Sequence, residues 1–137
     1  LLSVWADHPS KRWAIDRWAS LAGALMARGY RVALIGPPAA KALQPAQWPD
    51  GLCDLRGCDT PLTWPALLTR ASLVVSLDTG SVHMADALGI PVVGLYSVAD
   101  PAEYGPFWQR HRCVHAPSMD ALPLAQVLAL IEGRHAP

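Results

Sequence analysis

The sequence predicts an α/β protein with a doubly wound parallel sheet, and three observations predict it. Short apolar runs alternate along the chain with segments whose apolar residues recur every three or four positions. The runs LVVSL (residues 73–77) and PVVGLY (residues 91–96) are continuously apolar rather than alternating, the pattern of strands buried on both faces. The connections are short, and alternating strands and helices joined by short connections form parallel sheets through right-handed crossovers. At 137 residues and without internal repeats, the chain has the size of one domain.

Taken in order, residues 1–5 read as a short buried strand, and residues 6–12 as a polar loop. Between Trp13 and Arg28, the apolar residues Ile15, Trp18, Ala19, Ala22, Leu25 and Met26 form one helical face, which Gly29 ends. RVALI (residues 31–35) is a second strand, followed by the break Gly36-Pro37-Pro38 and a short helix over residues 39–44. Residues 52–55 form a weak strand before the turn Arg56-Gly57-Cys58-Asp59-Thr60. A helix covers residues 62–70, with Pro65 tolerated in its first turn. After the strand at 73–77 comes a helix over residues 81–88 stopped by Gly89, and then the strand at 91–96. Residues 97–109 read as loop and residues 110–115 as a last strand. Asp120 is expected to cap a final helix that has Pro123 in its first turn and Leu124, Val127, Leu128 and Ile131 on its apolar face.

Composition narrows the function classes. An apolar fraction of 52% with 16% charged residues excludes intrinsic disorder. Eleven Lys and Arg balance eleven Asp and Glu, which argues against a broad nucleic-acid surface. No apolar run reaches the length of a membrane span. Cys53, Cys58 and Cys113 are odd in number and loosely spaced, so free thiols, no bound metal and a reducing compartment are expected. His111, Cys113 and His115 alternate and would share a face on a regular strand, the one arrangement that raises a metal as an alternative. The chain begins in strand-like sequence without Met and without a basic stretch ahead of an apolar run. It reads as a piece of a longer protein with no signal peptide.

In such sheets ligands bind beyond the carboxyl ends of the strands. That directs attention to the loops after Trp5, Ile35, Leu77 and Tyr96. The strongest local signal is Asp78-Thr79-Gly80-Ser81, a tight turn from a buried strand into a helix. A helix start there aims free N–H groups and a positive dipole end at the sheet edge, which suits an anion such as phosphate. Gly80 permits close approach, Thr79 and Ser81 offer hydroxyls, and His83 lies in the first turn. The alternative is an ordinary helix start capped by Asp78 or Thr79, with His83 facing solvent. Lys11, in the loop after the first strand, is a point charge suited to phosphate, with a merely solvated lysine as its alternative. Arg12 carries the same alternative, and Trp13 reads as a packing residue.

Together these segments resemble a known family. Lys11-Arg12-Trp13, Trp18-Ala19, Leu21-Ala22 and Gly29 resemble the KRWP…WAxLAxxL…G block of glycosyltransferase family 9, the bacterial ADP-heptose:lipopolysaccharide heptosyltransferases. Asp78-Thr79-Gly80-Ser81-Val82-His83-Met84-Ala85, Ala87-Leu88-Gly89 and Pro91-Val92-Val93 resemble the family's D-(S/T)-G-x-x-H-x-A-x-A-L-G-x-P-V-V. Asp100-Pro101 and Gly105-Pro106 match its later TDP…GP segment, and Leu55-Arg56-Gly57 with Leu67-Leu68 and Ala71 echoes the block between.

The resemblance implies a GT-B enzyme of two Rossmann-like domains, of which residues 1–137 are the C-terminal, donor-binding half. It implies that Lys11 contacts the donor diphosphate and that Asp78, Thr79, Gly80, Ser81 and His83 form the donor pocket. The N-terminal acceptor domain is absent from this chain. It would bind the lipopolysaccharide core and carry the catalytic Asp, so no catalytic residue, metal or cofactor is expected here. The implied donor is ADP-heptose. The implied location is the cytoplasm, at the inner face of the bacterial inner membrane for the full-length protein.

Four positions depart from the family pattern: Asp7 stands for Ser or Thr, Ser97-Val98-Ala99 for GPT, and Asp86 for a small apolar residue, while residues 37–41 lack the acid expected for ribose. They keep two alternatives in view: another nucleotide-sugar enzyme, such as a UDP-sugar transferase or epimerase, and a non-catalytic Rossmann-like binding module.

Overall fold

In the computed structural model, which describes residues 1–58 and 60–133, six parallel strands form one sheet. They are β1 (Leu2–Ser3), β2 (Ala33–Ile35), β3 (Cys53–Asp54), β4 (Val74–Leu77), β5 (Val92–Tyr96) and β6 (Cys113–His115), in the order β3-β2-β1-β4-β5-β6. The chain winds outward from β1 in one direction, then returns to place β4 on the other side of β1. The register sets Ser3 beside Ser76, and Leu77 beside Leu95. That reversal between β1 and β4 opens a crevice at the carboxyl edge of the sheet, where open α/β sheets bind ligands.

Side-chain alternation along the strands divides the core in two. Val75, Leu77, Val93 and Leu95 pack on one face with α1 (Ile15–Met26) and α5 (Leu124–Ile131). Val74, Val92 and Tyr96 pack on the other with α2 (Trp64–Leu68) and α3 (Gly80–Ala87). α1 buries Trp18, Ala22 and Leu25 of the face that its sequence periodicity marks, with Leu21 beside them, while Ile15, Ala19 and Met26 are half-buried. Trp13 is a packing residue: it is 2% exposed, meets Trp18 edge to face, and donates its Nε1–H to the carbonyl of Leu122. Gly29 and Gly89 follow α1 and α3 at φ of +87° and +70°, a conformation other residues adopt only with strain.

The fully buried Arg56 holds the loops after β2 and β3 together. Its guanidinium donates to both carboxylate oxygens of Asp54 and to the carbonyls of Ala40 and Leu43.

The sequence reading needs four corrections. Residues 97–109 are not all loop: Pro101–Tyr104 form a short helix, α4, because Asp100 accepts a hydrogen bond from the Ala102 N–H and Pro101 supplies a preset φ. The last strand starts at Cys113, since Arg110–Arg112 form a 3-10 turn. The short helix after β2 is a 3-10 segment over Pro38–Ala42. Asp120 does not cap the final helix; Pro123 occupies the cap position, and Ser118 Oγ accepts from Ala121 N. Asp59, placed in a turn by the sequence, lies outside the described residues.

Candidate functional site

The crevice beyond β1 and β4 collects side chains from three loops. A 3-10 turn over Pro9–Lys11 follows β1, and its last residue, Lys11, reaches across the crevice. Lys11 Nζ lies 2.6 Å from Asp78 Oδ2, a contact between residues 67 positions apart in sequence. The Lys11 side chain is 34% exposed and that of Asp78 only 12%. A lysine ammonium has three donors. With Asp78 accepting one of them, the ammonium is fixed in place with donors left for the cavity in front of it.

The Lys11 loop is braced from behind. Arg12 stacks over the Trp5 ring at 3.9 Å and donates from Nε to the carbonyl of Ala6 and from Nη2 to that of Asp7. Trp5 Nε1 donates to Asp7 Oδ1, which occupies that carboxylate within its own loop. Ser97 Oγ, from the loop after β5, donates to the Ser10 carbonyl. Arg12 is thus a clamp, not a solvated cation.

α3 begins directly after Asp78. Thr79, at the cap position, is extended, and no side chain caps the helix. The first N–H groups of any helix lack intrahelical partners. Here the Val82 N–H donates to the Thr79 carbonyl, while among the described residues no side chain claims the N–H groups of Gly80 and Ser81, which line the crevice. The capping alternative therefore does not hold for Asp78 or Thr79: the first pairs with Lys11, and the Thr79 hydroxyl lies 3.3 Å from Ser76 Oγ. Ser81 is buried and receives a hydrogen bond from Ser3 Oγ at 3.0 Å, so its hydroxyl ties α3 to β1. At Gly80 a Cβ would crowd the Trp64 ring at 3.2 Å, so the ring would have to give by a few tenths of an ångström. His83 is exposed, one turn into α3.

Two cavities flank this helix start. One, of about 470 Å³, is lined by Trp5, Pro37, Pro38, Pro61, Trp64 and the turn at Thr79–Ser81. The other, of about 510 Å³, is lined by Lys11, Asp78, His83, Ala99, Glu103, Tyr104 and Gly105. A larger cavity, of about 620 Å³, lies at the opposite edge of the sheet around Leu1, Met26, Tyr30 and Arg70. It holds none of the candidate donor-site residues and gathers no carboxylate or imidazole.

Sequence reasoning missed Ser3, Ser76, Glu103 and Tyr104. Ser3 and Ser76 were legible as lone hydroxyls inside otherwise apolar strands. Glu103 and Tyr104 depended on α4, whose single turn carries no periodicity to detect.

The thiols lie apart from the crevice. Cys53 and Cys58 are exposed, and all three cysteines are free. Burial pushes the Cys113 thiol up to about 12, so it is no nucleophile at neutral pH. His111 lies in the 3-10 turn rather than on β6, and His115 Nε2 lies 3.0 Å from the carbonyl of Ser97, which breaks the alternation that a shared metal needs. Among the described residues, no three His, Cys, Asp or Glu side chains are grouped to hold a metal ion.

The model of glycosyltransferase family 9 (heptosyltransferase) matches residues 1–126. The chain is 28% identical to the lipopolysaccharide core heptosyltransferase OpsX of Haemophilus influenzae, over 78% of this chain and 32% of that protein. It is 32% identical to lipopolysaccharide heptosyltransferase 3 of Escherichia coli, over 71% of this chain and 30% of that protein. The chain thus spans about a third of the length of these relatives. Among solved structures, a family 9 glycosyltransferase from Veillonella parvula superposes with a TM-score of 0.86 at 22% identity, over 96% of this chain and 44% of that one. The E. coli heptosyltransferase WaaC with ADP superposes with a TM-score of 0.81 at 24% identity, over 98% of this chain and 43% of that one. At these identities the structural matches establish the fold.

Proposed function

This chain belongs to glycosyltransferase family 9, and on that premise we propose that it is the donor-binding domain of a heptosyltransferase. It holds ADP-heptose for transfer of the heptose to the lipopolysaccharide core. Residues 1–137 constitute this domain, and the acceptor and the catalytic base belong to an N-terminal domain outside the chain. Lys11, Asp78, Thr79, Gly80, Ser81 and His83 make up the donor site. The single observation that carries this reading is the Lys11–Asp78 contact at the uncapped start of α3. It joins an ammonium and open helix N–H groups at the crevice, the donors a diphosphate requires.

The chemistry follows from where charge develops. As a nucleoside diphosphate departs from a sugar, negative charge builds on the β-phosphate oxygen. Fixed donors aimed at that oxygen lower the barrier, and losing one such donor typically costs about 10²–10³ in rate. Lys11 supplies a charge and α3 its first-turn N–H groups, both in place before the donor arrives. Asp78 keeps the ammonium aimed. His83 adds a hydrogen bond to phosphate or an adjoining donor group. Ser81 acts indirectly: its bond to Ser3 Oγ fixes the helix start to the sheet.

The choice of ADP rests on the named relatives, which are heptosyltransferases, and on WaaC with ADP. A location at the inner face of the bacterial inner membrane accompanies this reading; no helix among the described residues is long and apolar enough to cross a membrane. The test is calorimetric titration of ADP, UDP and GDP onto the chain. Binding that favours ADP is expected. A preference for UDP or GDP points to another nucleotide-sugar enzyme, and no binding at all points to a non-catalytic module.

A further inference from the structure

The two cavities beside the α3 start differ in chemistry, and the difference gives the crevice a direction. Trp5, Trp64 and three prolines line one of them. Flat apolar walls of this kind accept a nucleobase. The other is walled by Asp78, His83, Glu103 and Tyr104 around the Lys11 ammonium, side chains that accept and donate hydrogen bonds. A ligand with its diphosphate at the start of α3 extends one end into each cavity.

Glu103 is the unexplained group in the polar cavity. It lies in the first turn of α4 and is exposed; its backbone N–H donates to the Asp100 carbonyl, and its carboxylate makes no hydrogen bond or ion pair among the described residues. Its support is rigid. Asp100 caps α4, Tyr96 Oη donates from the core to the carbonyl of Tyr104, and the Gly105 N–H donates to the carbonyl of Pro101. A carboxylate repels phosphate, so Glu103 does not serve the diphosphate that Lys11 attracts. It is instead a strong acceptor for neutral O–H donors, and a sugar joined to the β-phosphate presents several of them within the same cavity. Tyr104, 59% exposed, adds an apolar ring face and a hydroxyl at the same wall.

We infer that Glu103, supported by Tyr104, is a specificity-determining residue that accepts hydrogen bonds from the hydroxyls of the donor sugar. This rests on the donor-site reading above and goes beyond it by assigning the sugar end to α4. The side chain discriminates sugar from no sugar, and it leaves the nucleotide alone.

The test compares two probes, ADP and ADP-heptose, by calorimetry on the wild-type chain and on Glu103→Gln. The substitution keeps the shape of the side chain and removes its charge. Loss of a charge-assisted hydrogen bond is expected to weaken ADP-heptose about tenfold, with ADP unchanged to within about twofold. Tyr104→Ala is expected to weaken ADP-heptose in the same selective way. If Glu103→Gln binds both probes as the wild type does, or loses both equally, the assignment of Glu103 is overturned while the donor site stands. If the wild-type chain binds neither probe, the donor-site reading fails and the assignment fails with it.

Discussion

Lys11 holds its position through a partner of opposite charge, and that pairing shapes what substitution there will do. In the absence of a donor, Asp78 occupies one of its three N–H groups, and the other two stay available. Asp78→Ala frees the ammonium to swing with solvent. It is expected to weaken ADP binding severalfold despite removing a negative charge, which titration checks directly. Arg56 is the other residue whose environment dictates a large effect. Four contacts to Asp54, Ala40 and Leu43 tie down a fully buried guanidinium. Arg56→Ala leaves a cavity and two carbonyls without their donor, and is expected to cost about 3 kcal/mol in denaturant unfolding. The same guanidinium, by hydrogen bonding above all, holds the Asp54 carboxyl below the usual carboxylate range. A carboxyl lowered in the folded state stabilises the fold above its unfolded pKa, and the contribution is lost as pH falls through the lowered value. Stability is therefore expected to fall on acidification, and Asp54→Asn to flatten that part of the profile; the solvent exposure of Asp54 keeps the effect small. Cys53 and Cys58 are expected to react rapidly with a disulfide reagent in the native protein and Cys113 only on unfolding, because it is partly buried and its thiol is pushed up to about 12.

Secondary-structure elements differ in how plainly their sequences declare them. α1 and α5 were legible because Trp18, Ala22, Leu25 and Leu124, Val127, Leu128 repeat at helical spacing, although that spacing did not single out Leu21 and Leu130, which are also buried. β4 and β5 were legible because parallel strands buried on both faces leave continuous apolar runs. The start of α3 was legible as a turn from strand to helix. Its lack of a cap was not, since Asp78 looks like a cap until Lys11, far away in sequence, is seen to claim it. α4 was not legible by periodicity, because four residues make a single turn; its only signal was Asp100-Pro101, a cap followed by a first-turn proline. Asp120 misled in the opposite sense, as a capping residue type placed ahead of the true helix start. α4 also supplies a prediction of its own. A Cβ on Gly105 would stand 2.3 Å from the Pro101 carbonyl oxygen, a backbone atom that cannot swing aside. Gly105→Ala is expected to dislodge α4 and weaken ADP-heptose more than ADP, as the pair of titrations reads.

At the scale of the whole molecule, alternation and short connections predicted a parallel wound sheet, and the sheet order β3-β2-β1-β4-β5-β6 sets the site at the place where that winding reverses. Lys11 and Asp78 were marked separately, by residue type and by the turn that follows a buried strand; only the adjacency of β1 and β4 makes them partners. The nucleobase-side cavity and Glu103 were not legible, because both are products of loops that meet only in the folded chain. With no catalytic base assigned to it, the chain alone is expected to bind a nucleoside diphosphate weakly and to transfer no sugar, which incubation with ADP-heptose and acceptor would check. The measurement that bears most directly on the central claim is the affinity of ADP for the wild-type chain, for Lys11→Ala, and for Lys41→Ala, an exposed lysine outside the crevice. Lys11→Ala is expected to weaken ADP about tenfold or more, through loss of a charge-assisted contact, while Lys41→Ala stays within about twofold. Equal affinity in all three would contradict it and reduce Lys11 to a surface lysine held by an ion pair.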